Sequence, residues 1–436
     1  MGSTGSGRDL LRFATAGSVD DGKSTLVGRL LYDTKSVLAD QIEAVQRASV
    51  DKGLATPDLS LLVDGLRAER EQGITIDVAY RYFGTPTREF VLADTPGHVQ
   101  YTRNTVTGAS TAELAVLLVD ARNGIVEQTR RHATVLAMLR VPRLVLAINK
   151  IDLVDYDEAA LRAIEKEFAG LARSLGFADD AVQTIPVSAL VGDNVVERSA
   201  HTPWYDGPTL LGHLESVPVV GPEVAKPFRM PVQYVIRPRG SADARWGDLH
   251  DYRGYAGQIA AGAVRPGDTV VVLPEGRETR VTHVDTADGP LDEGTAGRSV
   301  TIRLADDIDI SRGDMLVAAD AQPSVTAEID ATLCWLGDKP LRPNARLLLK
   351  HGTRTTQVMV GAPESRIDTD TLTEVEAEAL GLNDIGRVTV RTADPLPVDE
   401  YADIRATGSF VLIDPPTGNT LAAGLVGTPL ALRPAE

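Results

Sequence analysis

The sequence has 436 residues, a length that predicts about two to four domains and excludes a peptide hormone or a single small module. Its 44 basic and 61 acidic residues give a formal net charge of −17, and 43% of the residues are hydrophobic. This composition is typical of an acidic folded protein and excludes a histone-like binder of nucleic acid. Cys334 stands alone and cannot form an internal disulfide, and no run of about 18 apolar residues predicts a membrane span. We therefore expect a cytoplasmic protein.

The first half of the chain alternates short apolar runs with helical stretches. Residues 158–175 carry their apolar side chains at helical spacing, as do Val37, Leu38, Ile42 and Val45. Strands separated by helices predict a mostly parallel sheet with helices on both faces. We assign this α/β domain to residues 10–220 and a flexible tail to residues 1–9. The predicted buried strands are 11–16, 90–93, 114–119, 144–148 and 184–187.

The pattern changes after residue 217 to short strands and frequent turns. Pro218, Gly221 and Pro222 end the α/β alternation, and residues 265–268 form the typical turn sequence Arg-Pro-Gly-Asp. A second boundary lies near residues 321–324. This half therefore predicts two all-β barrel domains, which we place at 225–321 and 325–436.

A glycine-rich loop follows the first predicted strand and opens a helix. Residues 17–24, Gly-Ser-Val-Asp-Asp-Gly-Lys-Ser, match the pattern GxxxxGK[ST] in the strand and helix context that it requires. The glycines let backbone N–H groups turn toward phosphates, Lys23 reaches the terminal phosphates, and the Ser24 hydroxyl can ligate Mg²⁺. A plain glycine turn is the alternative, which the flanking elements disfavour. The predicted phosphate-binding residues are Gly17, Ser18, Val19, Asp20, Asp21, Gly22, Lys23, Ser24 and Thr25.

The sequence Asp94-Thr-Pro-Gly-His98 follows the strand at 90–93, so Asp94 lies at the carboxyl end of a strand beside the glycine-rich loop. We expect Asp94 to hold a Mg²⁺-bound water, the Gly97 N–H to sense the γ-phosphate and His98 to orient the attacking water. Thr75 can complete the metal's coordination when a triphosphate is bound. Taken alone, His98 is more typical of a capping or turn histidine, but its position directly after an Asp-x-x-Gly element favours the catalytic interpretation. The predicted catalytic residues are Lys23, Thr75, Asp94, Gly97 and His98, and the predicted metal ligands are Ser24, Thr75 and, through water, Asp94.

Two later loops predict recognition of a guanine base. The first, Asn149-Lys-Ile-Asp152, closes the strand at 144–148, and the Asp152 carboxylate can accept hydrogen bonds from the guanine N1–H and exocyclic amine. Adenine offers no such pair of donors. The second loop, Ser188-Ala-Leu190, can present backbone N–H groups to the guanine O6. The predicted guanine-binding residues are Asn149, Lys150, Asp152, Ser188, Ala189 and Leu190, and they favour GTP over ATP.

These motifs, in this order, resemble those of a translation-factor-class GTPase. The β-rich half is similar to the two barrels of elongation factor Tu. The stretches that carry this resemblance are Gly-Gln-Ile-Ala-Ala-Gly at 257–262 and Arg-Pro-Gly-Asp-Thr-Val at 265–270. Translation factors usually carry histidines where Ser18 and Asp21 stand, and threonine in place of Ser24. More narrowly, the sequence resembles the large subunit of bacterial sulfate adenylyltransferase of the CysN type, and the matching stretches are 17–25, 30–35, 63–82 and 101–104.

The resemblance implies an elongation-factor-Tu-like architecture, a P-loop GTPase domain followed by two barrels, with GTP and Mg²⁺ as its cofactors. It further implies that GTP hydrolysis drives the formation of adenosine 5′-phosphosulfate and pyrophosphate from ATP and sulfate. That reaction would occur on a small catalytic partner subunit, which binds the ATP and sulfate, in a heterodimer or higher assembly. We expect no nucleic-acid or membrane partner. Two alternatives stay open: a translation GTPase that delivers aminoacyl-tRNA, and a regulatory module that holds GTP without turnover.

Overall fold

A computed structural model describes residues 9–51, 57–63, 78–98, 102–219, 223–237, 252–430 and 433–434. The chain divides into two compact units, of which the first is built mainly from Met1–Val220. The second consists of Gly221–Ile367 and Val375–Pro429. No helix among the described residues is both long and apolar enough to cross a membrane.

The first unit contains a six-stranded sheet with the order β2-β3-β1-β4-β5-β6. Only β2 runs antiparallel to its neighbour. Every residue of β4 and β5 is buried, as expected for central strands covered on both faces. The strands are β1 (Asp9–Gly17), β2 (Ala79–Gly84), β3 (Arg88–Asp94), β4 (Leu114–Asp120), β5 (Leu144–Asn149) and β6 (Val182–Pro186).

Six α-helices are described in the first unit. They are α1 (Lys23–Asp33), α2 (Ala39–Asp51), α3 (Thr102–Ala109), α4 (Glu127–Met138), α5 (Glu158–Ser174) and α6 (Leu210–Ser216), with 3₁₀ turns at Leu59–Leu62, Ile151–Val154 and Asp179–Ala181. Helix α5 follows the predicted periodicity, since it buries Leu161, Ile164, Phe168 and Leu171. The Asp157 side chain caps its first turn by accepting from the Ala159 N–H.

The register of the sheet brings several strand ends to one edge. Thr15 on β1 pairs with Asp94 on β3, and Asp120 on β4 pairs with Asn149 on β5. The chain enters its loops at this carboxyl edge, where ligands bind in open parallel sheets. The loops that carry the predicted nucleotide motifs therefore start side by side.

The second unit is entirely β in its described parts. Its first sheet has the order β7-β16-β11-β12-β15-β9-β8, with β13 on β12 and a separate β10-β14 pair. These strands are β7 (Arg229–Pro231), β8 (Tyr234–Ile236), β9 (Gly254–Gln258), β10 (Ala263–Val264), β11 (Thr269–Leu273), β12 (Arg277–Thr286), β13 (Gly289–Leu291), β14 (Gly294–Thr295), β15 (Ser299–Leu304) and β16 (Met315–Ala318). Residues 265–268 lie between β10 and β11, where the turn was predicted.

A second sheet has the order β18-β22-β23-β17-β21-β19-β20-β24, and a β18–β19 pairing closes its first six strands into a barrel. Its strands are β17 (Ser324–Trp335), β18 (Ala345–His351), β19 (Arg354–Asp368), β20 (Thr373–Val375), β21 (Ile385–Val398), β22 (Ser409–Ile413), β23 (Thr420–Val426) and β24 (Arg433–Pro434). The predicted fold class, a parallel-sheet domain followed by β-barrel structure, is confirmed. The predicted domain boundaries stay predictions.

Candidate functional site

The loop after β1 needs its two glycines for both conformation and space. Gly17 has φ +151° and Gly22 has φ +93°, in a region that L side chains rarely adopt. A methyl group added at Gly17 would lie 2.9 Å from the Leu118 carbonyl oxygen, and one at Gly22 would lie 2.5 Å from Asn149 Nδ2. The loop is thus packed tightly against β4 and the end of β5, and the first N–H groups of α1, as in any helix, have no partner within the helix.

Lys23 is folded back onto this loop. Its ammonium group donates to the carbonyl oxygens of Gly17 at 2.8 Å and Ser18 at 2.7 Å, and the residue is 8% exposed. Burial lowers the pKa of Lys23, and the nearby carboxylates of Asp21 and Asp94 act in the opposite direction. A buried cation that donates its hydrogen bonds to carbonyl oxygens of the loop is a favourable partner for an incoming phosphate.

Asp21 supports the loop from inside. Its Oδ2 accepts from the Ser18 N–H at 2.6 Å, and its carbonyl oxygen accepts from Asn149 Nδ2 at 2.7 Å. Burial raises the pKa of Asp21, and the charge of Lys23 opposes that change. The side chain is therefore turned toward the loop's own backbone, so its expected part in phosphate binding is to hold the loop's shape.

Two hydroxyl groups in the loop are available for a ligand. Ser18 Oγ is buried and has no hydrogen-bond partner, and the Ser24 hydroxyl makes no hydrogen bond to any residue that the structure describes. Within the same described parts of the chain, no group of three or more His, Cys, Asp or Glu side chains could hold a metal by itself. Mg²⁺ fits such a site, because it commonly takes one or two protein oxygens and fills its other positions with water and phosphate oxygens.

The predicted γ-phosphate residues lie against the same loop. Asp94 is fully buried at the end of β3, and its Oδ1 accepts from Thr15 Oγ1 at 2.8 Å. A methyl group added at Gly97 would lie 2.8 Å from the Gly17 carbonyl oxygen and would collide with Lys23 Nζ. The next residue, His98, is partly buried. Thr75, the remaining predicted catalytic residue and metal ligand, falls outside the described residues.

Helix α4 adds two residues that sequence reasoning missed. Gln128 Nε2 donates to the Gly97 carbonyl oxygen at 3.3 Å and lies 3.1 Å from His132 Nε2. His132 is fully buried, and burial lowers its pKa to about 3, so the ring is neutral. Gln128 and His132 are four residues apart and so lie on one face of the helix, but the first half of the helix is rich in other polar residues, so the pair has no distinctive signal in the sequence. Gln128 links the buried His132 ring to the carbonyl oxygen of Gly97.

Asn149, in the first base-recognition loop, is hydrogen-bonded to both the phosphate loop and the second base-recognition loop. Its side chain is almost fully buried, Nδ2 donates to the Asp21 carbonyl oxygen at 2.7 Å, and Oδ1 accepts from the Ala189 N–H at 2.9 Å. Asp152, two residues into the next turn, has a buried Oδ1 without a hydrogen-bond partner among the described residues. A buried carboxylate oxygen that lacks a donor fits the N–H edge of a guanine.

Lys150 adopts a left-handed conformation at φ 63° and bridges two loops. Its ammonium group donates to Asp120 Oδ2 at 2.8 Å and to the carbonyl oxygen of Asp20. Burial raises the pKa of Asp120, but hydrogen bonds from Arg122 and Lys150 outweigh burial and hold its pKa well below the ordinary value. Sequence reasoning missed Asp120, although an acidic residue directly after the apolar run at 114–119 marks the same strand edge.

The loop at 188–190 has one free backbone donor. The Ala189 N–H is bound to Asn149, the Val191 N–H to Ser188 Oγ at 3.3 Å, and the Gly192 N–H to the Ser188 carbonyl oxygen at 2.7 Å. The Leu190 N–H has no acceptor among the described residues. Of the predicted donors to guanine O6, Leu190 is thus the one left available.

The fold and this edge of the sheet define a GTP-binding protein of the translation-factor class. The family model described as "Elongation factor Tu GTP binding domain" matches residues 8–220, and "GTP-eEF1A C-terminal domain-like" matches residues 328–427. The first match lies within the first unit, and the second lies mostly within the second unit.

Similar relatives narrow the class further. Sulfate adenylyltransferase subunit 1 of Methylorubrum populi is 50% identical, and that of Tolumonas auensis is 48% identical; each match covers 97% of this chain and 88% of the relative. "Bifunctional enzyme CysN/CysC" of Mycobacterium tuberculosis is 54% identical over 419 residues, which cover 96% of this chain and 67% of the relative. The chain belongs to the family of sulfate adenylyltransferase subunit 1.

Proposed function

We propose that this chain is the GTPase subunit of a sulfate adenylyltransferase. GTP hydrolysis on the chain drives the formation of adenosine 5′-phosphosulfate and pyrophosphate from ATP and sulfate on a small catalytic partner subunit. The observation that carries the hydrolytic part is the packing of Gly97 against Lys23 and Gly17, because it puts the expected γ-phosphate sensor beside the phosphate-binding lysine. Family membership carries the assignment to sulfate activation.

In the proposed mechanism, Lys23 exchanges its two carbonyl partners for oxygens of the β- and γ-phosphates. The Gly97 N–H donates to the γ-phosphate, and His98 orients the attacking water for in-line attack. Hydrogen bonds aimed at the developing charge lower the barrier, because these groups are already fixed in a water-poor loop. Gln128 keeps the Gly97 peptide in place through its carbonyl oxygen.

The proposed ligands of Mg²⁺ are the Ser24 hydroxyl, Thr75 and, through water, Asp94. When bound, the ion neutralises charge on the β- and γ-phosphates. The hydrogen bond from Thr15 to Oδ1 helps to fix the orientation of the Asp94 carboxylate. Thr75 would lose its contact with the ion when GTP is hydrolysed, as residues in other switch regions do.

The proposed choice of GTP over ATP rests on the base loops. Asp152 accepts from the guanine N1–H and exocyclic amine, while a backbone N–H of residues 188–190 donates to O6. Adenine has an acceptor where guanine has the N1–H and a donor where guanine has O6, so it leaves the Asp152 oxygen without a donor. Lys150 and Asn149 hold these loops in place through their contacts with Asp20, Asp21 and Ala189.

Coupling to the partner follows from the two states that a GTPase alternates between. Segments ordered by the triphosphate and released after hydrolysis can hold a partner subunit in two conformations in turn. ATP and sulfate bind on the partner in this scheme. A cytoplasmic site of action fits the one cysteine of the sequence, the buried Cys334, because a reducing compartment keeps such a thiol reduced.

The test is GTP hydrolysis by the purified chain, alone and with its co-expressed small partner, with ATP and sulfate added or omitted. We expect turnover to rise only when partner, ATP and sulfate are all present, and pyrophosphate release to rise with it. Stimulation by ribosomes or aminoacyl-tRNA, with no response to sulfate and partner, would replace this function by translation. A chain that binds GTP but shows no turnover under any of these conditions would be a regulatory module.

A further inference from the structure

We propose that Arg29 on α1 is a positioning residue for guanine recognition. It holds the peptide group between Ala189 and Leu190 so that the Leu190 N–H faces the O6 atom of the base. This inference rests on the proposed guanine site at residues 188–190 and adds to it a residue from a different part of the sequence. Arg29 belongs to none of the nucleotide motifs.

The guanidinium group of Arg29 makes two hydrogen bonds to the base loop. Nε donates to the Ala189 carbonyl oxygen at 3.2 Å, and Nη2 donates to the Leu190 carbonyl oxygen at 2.6 Å. The side chain is 18% exposed, and Nη1 lies 3.6 Å from Asp33 Oδ1 one turn later on the same helix. These contacts join residues that are 160 and 161 positions apart in sequence.

The turn in the base loop fits around this side chain. Gly192 has φ +103°, and a methyl group added there would lie 3.8 Å from Arg29 Cδ. The Gly192 N–H also closes the turn onto the Ser188 carbonyl oxygen at 2.7 Å. The turn of the loop therefore packs against the Arg29 side chain, and the carbonyl oxygens of Ala189 and Leu190 both accept from its guanidinium group.

Peptide planarity carries these contacts to the base. In a trans peptide the C=O and the following N–H point in opposite directions. By holding the Ala189 carbonyl oxygen, Arg29 fixes the direction of the Leu190 N–H, which has no acceptor among the described residues. The Ala189 N–H is fixed separately by Asn149. The loop is thus held from both sides, and one donor is left for O6.

An arginine suits this position because its planar group presents several donors in a fixed arrangement. Its charge also polarises the Ala189 carbonyl group, which strengthens the N–H of the same peptide as a donor. Lys23 lies six residues before Arg29 on α1, which corresponds to about 9 Å along the helix axis. The same helix therefore sets the distance between the phosphate loop and the base loop.

The test compares Arg29→Met with Arg47→Met, a matched change at an exposed arginine on α2. Dissociation constants are measured for GDP, 6-thio-GDP and IDP. The thio analogue replaces O6 with a poor acceptor, whereas IDP keeps O6 and lacks the exocyclic amine that Asp152 accepts from. In the wild type, GDP should bind better than both analogues. In Arg29→Met, the preference for GDP over 6-thio-GDP should fall about five- to tenfold, and the preference over IDP should not change.

Each outcome decides the inference. An unchanged preference over 6-thio-GDP in Arg29→Met, or equal weakening of all three ligands, overturns it, because Arg29 would then be absent from base reading or merely structural. If Arg29→Met does not fold, Arg29→Lys takes its place, because it keeps the charge but has one donor nitrogen where arginine uses two, and it should lose part of the preference for GDP over 6-thio-GDP. A wild-type preference in that variant also overturns the inference. A wild type that prefers GDP to neither 6-thio-GDP nor IDP removes the proposed guanine site itself, which is a distinct failure.

Discussion

The phosphate end and the guanine end of the site lie on one sheet edge but differ in how their polar groups are satisfied. At the guanine end, Asn149 uses both atoms of its amide, Lys150 joins two loops, and Arg29 binds two carbonyl oxygens. At the phosphate end, Lys23 is buried with a lowered pKa, and Ser18 Oγ is buried with no partner among the described residues.

This difference has an energetic meaning. The guanine end is preorganised, so binding a base there orders little of the protein and costs little conformational entropy. The phosphate end holds polar groups whose burial is compensated poorly without a ligand, so a bound phosphate stabilises that end of the site. In the proposed function, base recognition would supply selectivity, and phosphate binding would supply the energy that separates the GTP-bound state from the state after hydrolysis.

Replacement of Lys23 tests the phosphate end most severely. Lys23→Ala should lower kcat/KM for GTP by about 10³-fold, because it removes a charge aimed at the transferred phosphate. Lys166→Ala, at an exposed position on α5, is the control and should leave kcat/KM unchanged. The measurement is steady-state release of inorganic phosphate. Equal behaviour of the two variants would mean that the phosphate loop does not bind GTP.

His98 should affect hydrolysis without affecting binding. His98→Ala should slow single-turnover hydrolysis about 10²-fold while the dissociation constant for a non-hydrolysable GTP analogue stays within about twofold of the wild type. The split arises because orienting water matters only in the transition state. Hydrolysis at the wild-type rate would remove His98 from the mechanism.

The contribution of the Lys150–Asp120 pair at the guanine end can be tested through the free energy of unfolding. The pKa of Asp120 is depressed in the folded protein, so this carboxylate contributes stability above its unfolded pKa of about 3.9, and that contribution is lost as pH falls through the folded pKa. Lys150→Met should lower the free energy of unfolding by about 2 kcal/mol near pH 7. Its difference from the wild type should begin to shrink toward pH 3, where Asp120 of the variant starts to be protonated, and should keep shrinking at lower pH, because the folded wild type holds this carboxylate charged to well below its ordinary pKa.

Calorimetric unfolding at both pH values measures this effect, and Lys166→Met is the matched control. A loss of the same size at both pH values would show that Lys150 acts through packing, and that the Asp120 charge does not hold the guanine end.

Gln128 should give the smallest effect, because it supports Gly97 through a single long hydrogen bond of 3.3 Å. Gln128→Ala should lower kcat about fivefold, which corresponds to about 1 kcal/mol, with KM for GTP unchanged. Gln46→Ala on the exposed side of α2 is the control. A rise in KM with normal kcat would place Gln128 in ground-state binding instead.

The sequence predicted the elements whose signal is local. Strands β4 and β5 are continuous apolar runs and lie where expected, and α5 follows its periodicity. Strand β2 was missed, because it is a half-exposed edge strand with Tyr80 and Tyr82 facing solvent, and nothing nearby in sequence marks its antiparallel pairing with β3.

The same distinction holds in the site. The glycine-rich loop, Asp94 and the two base loops were predicted because each is a short motif after a strand. Arg29 and Gln128 were not, since they act on backbone carbonyl oxygens 160 and 31 positions away. A carbonyl oxygen is present in every residue, so the sequence offers no pattern that would reveal such a contact. Those contacts come only from the folded arrangement of α1, α4 and the loops.

The most direct test of the account is whether GTP hydrolysis drives sulfate activation. The chain and its small partner are incubated with ATP and sulfate, together with either GTP or a non-hydrolysable GTP analogue, and adenosine 5′-phosphosulfate is measured when the reaction has stopped changing. The account predicts that GTP raises its level above that reached with ATP and sulfate alone, and that the analogue and the His98→Ala variant do not. Equal final levels with GTP and with the analogue would contradict it.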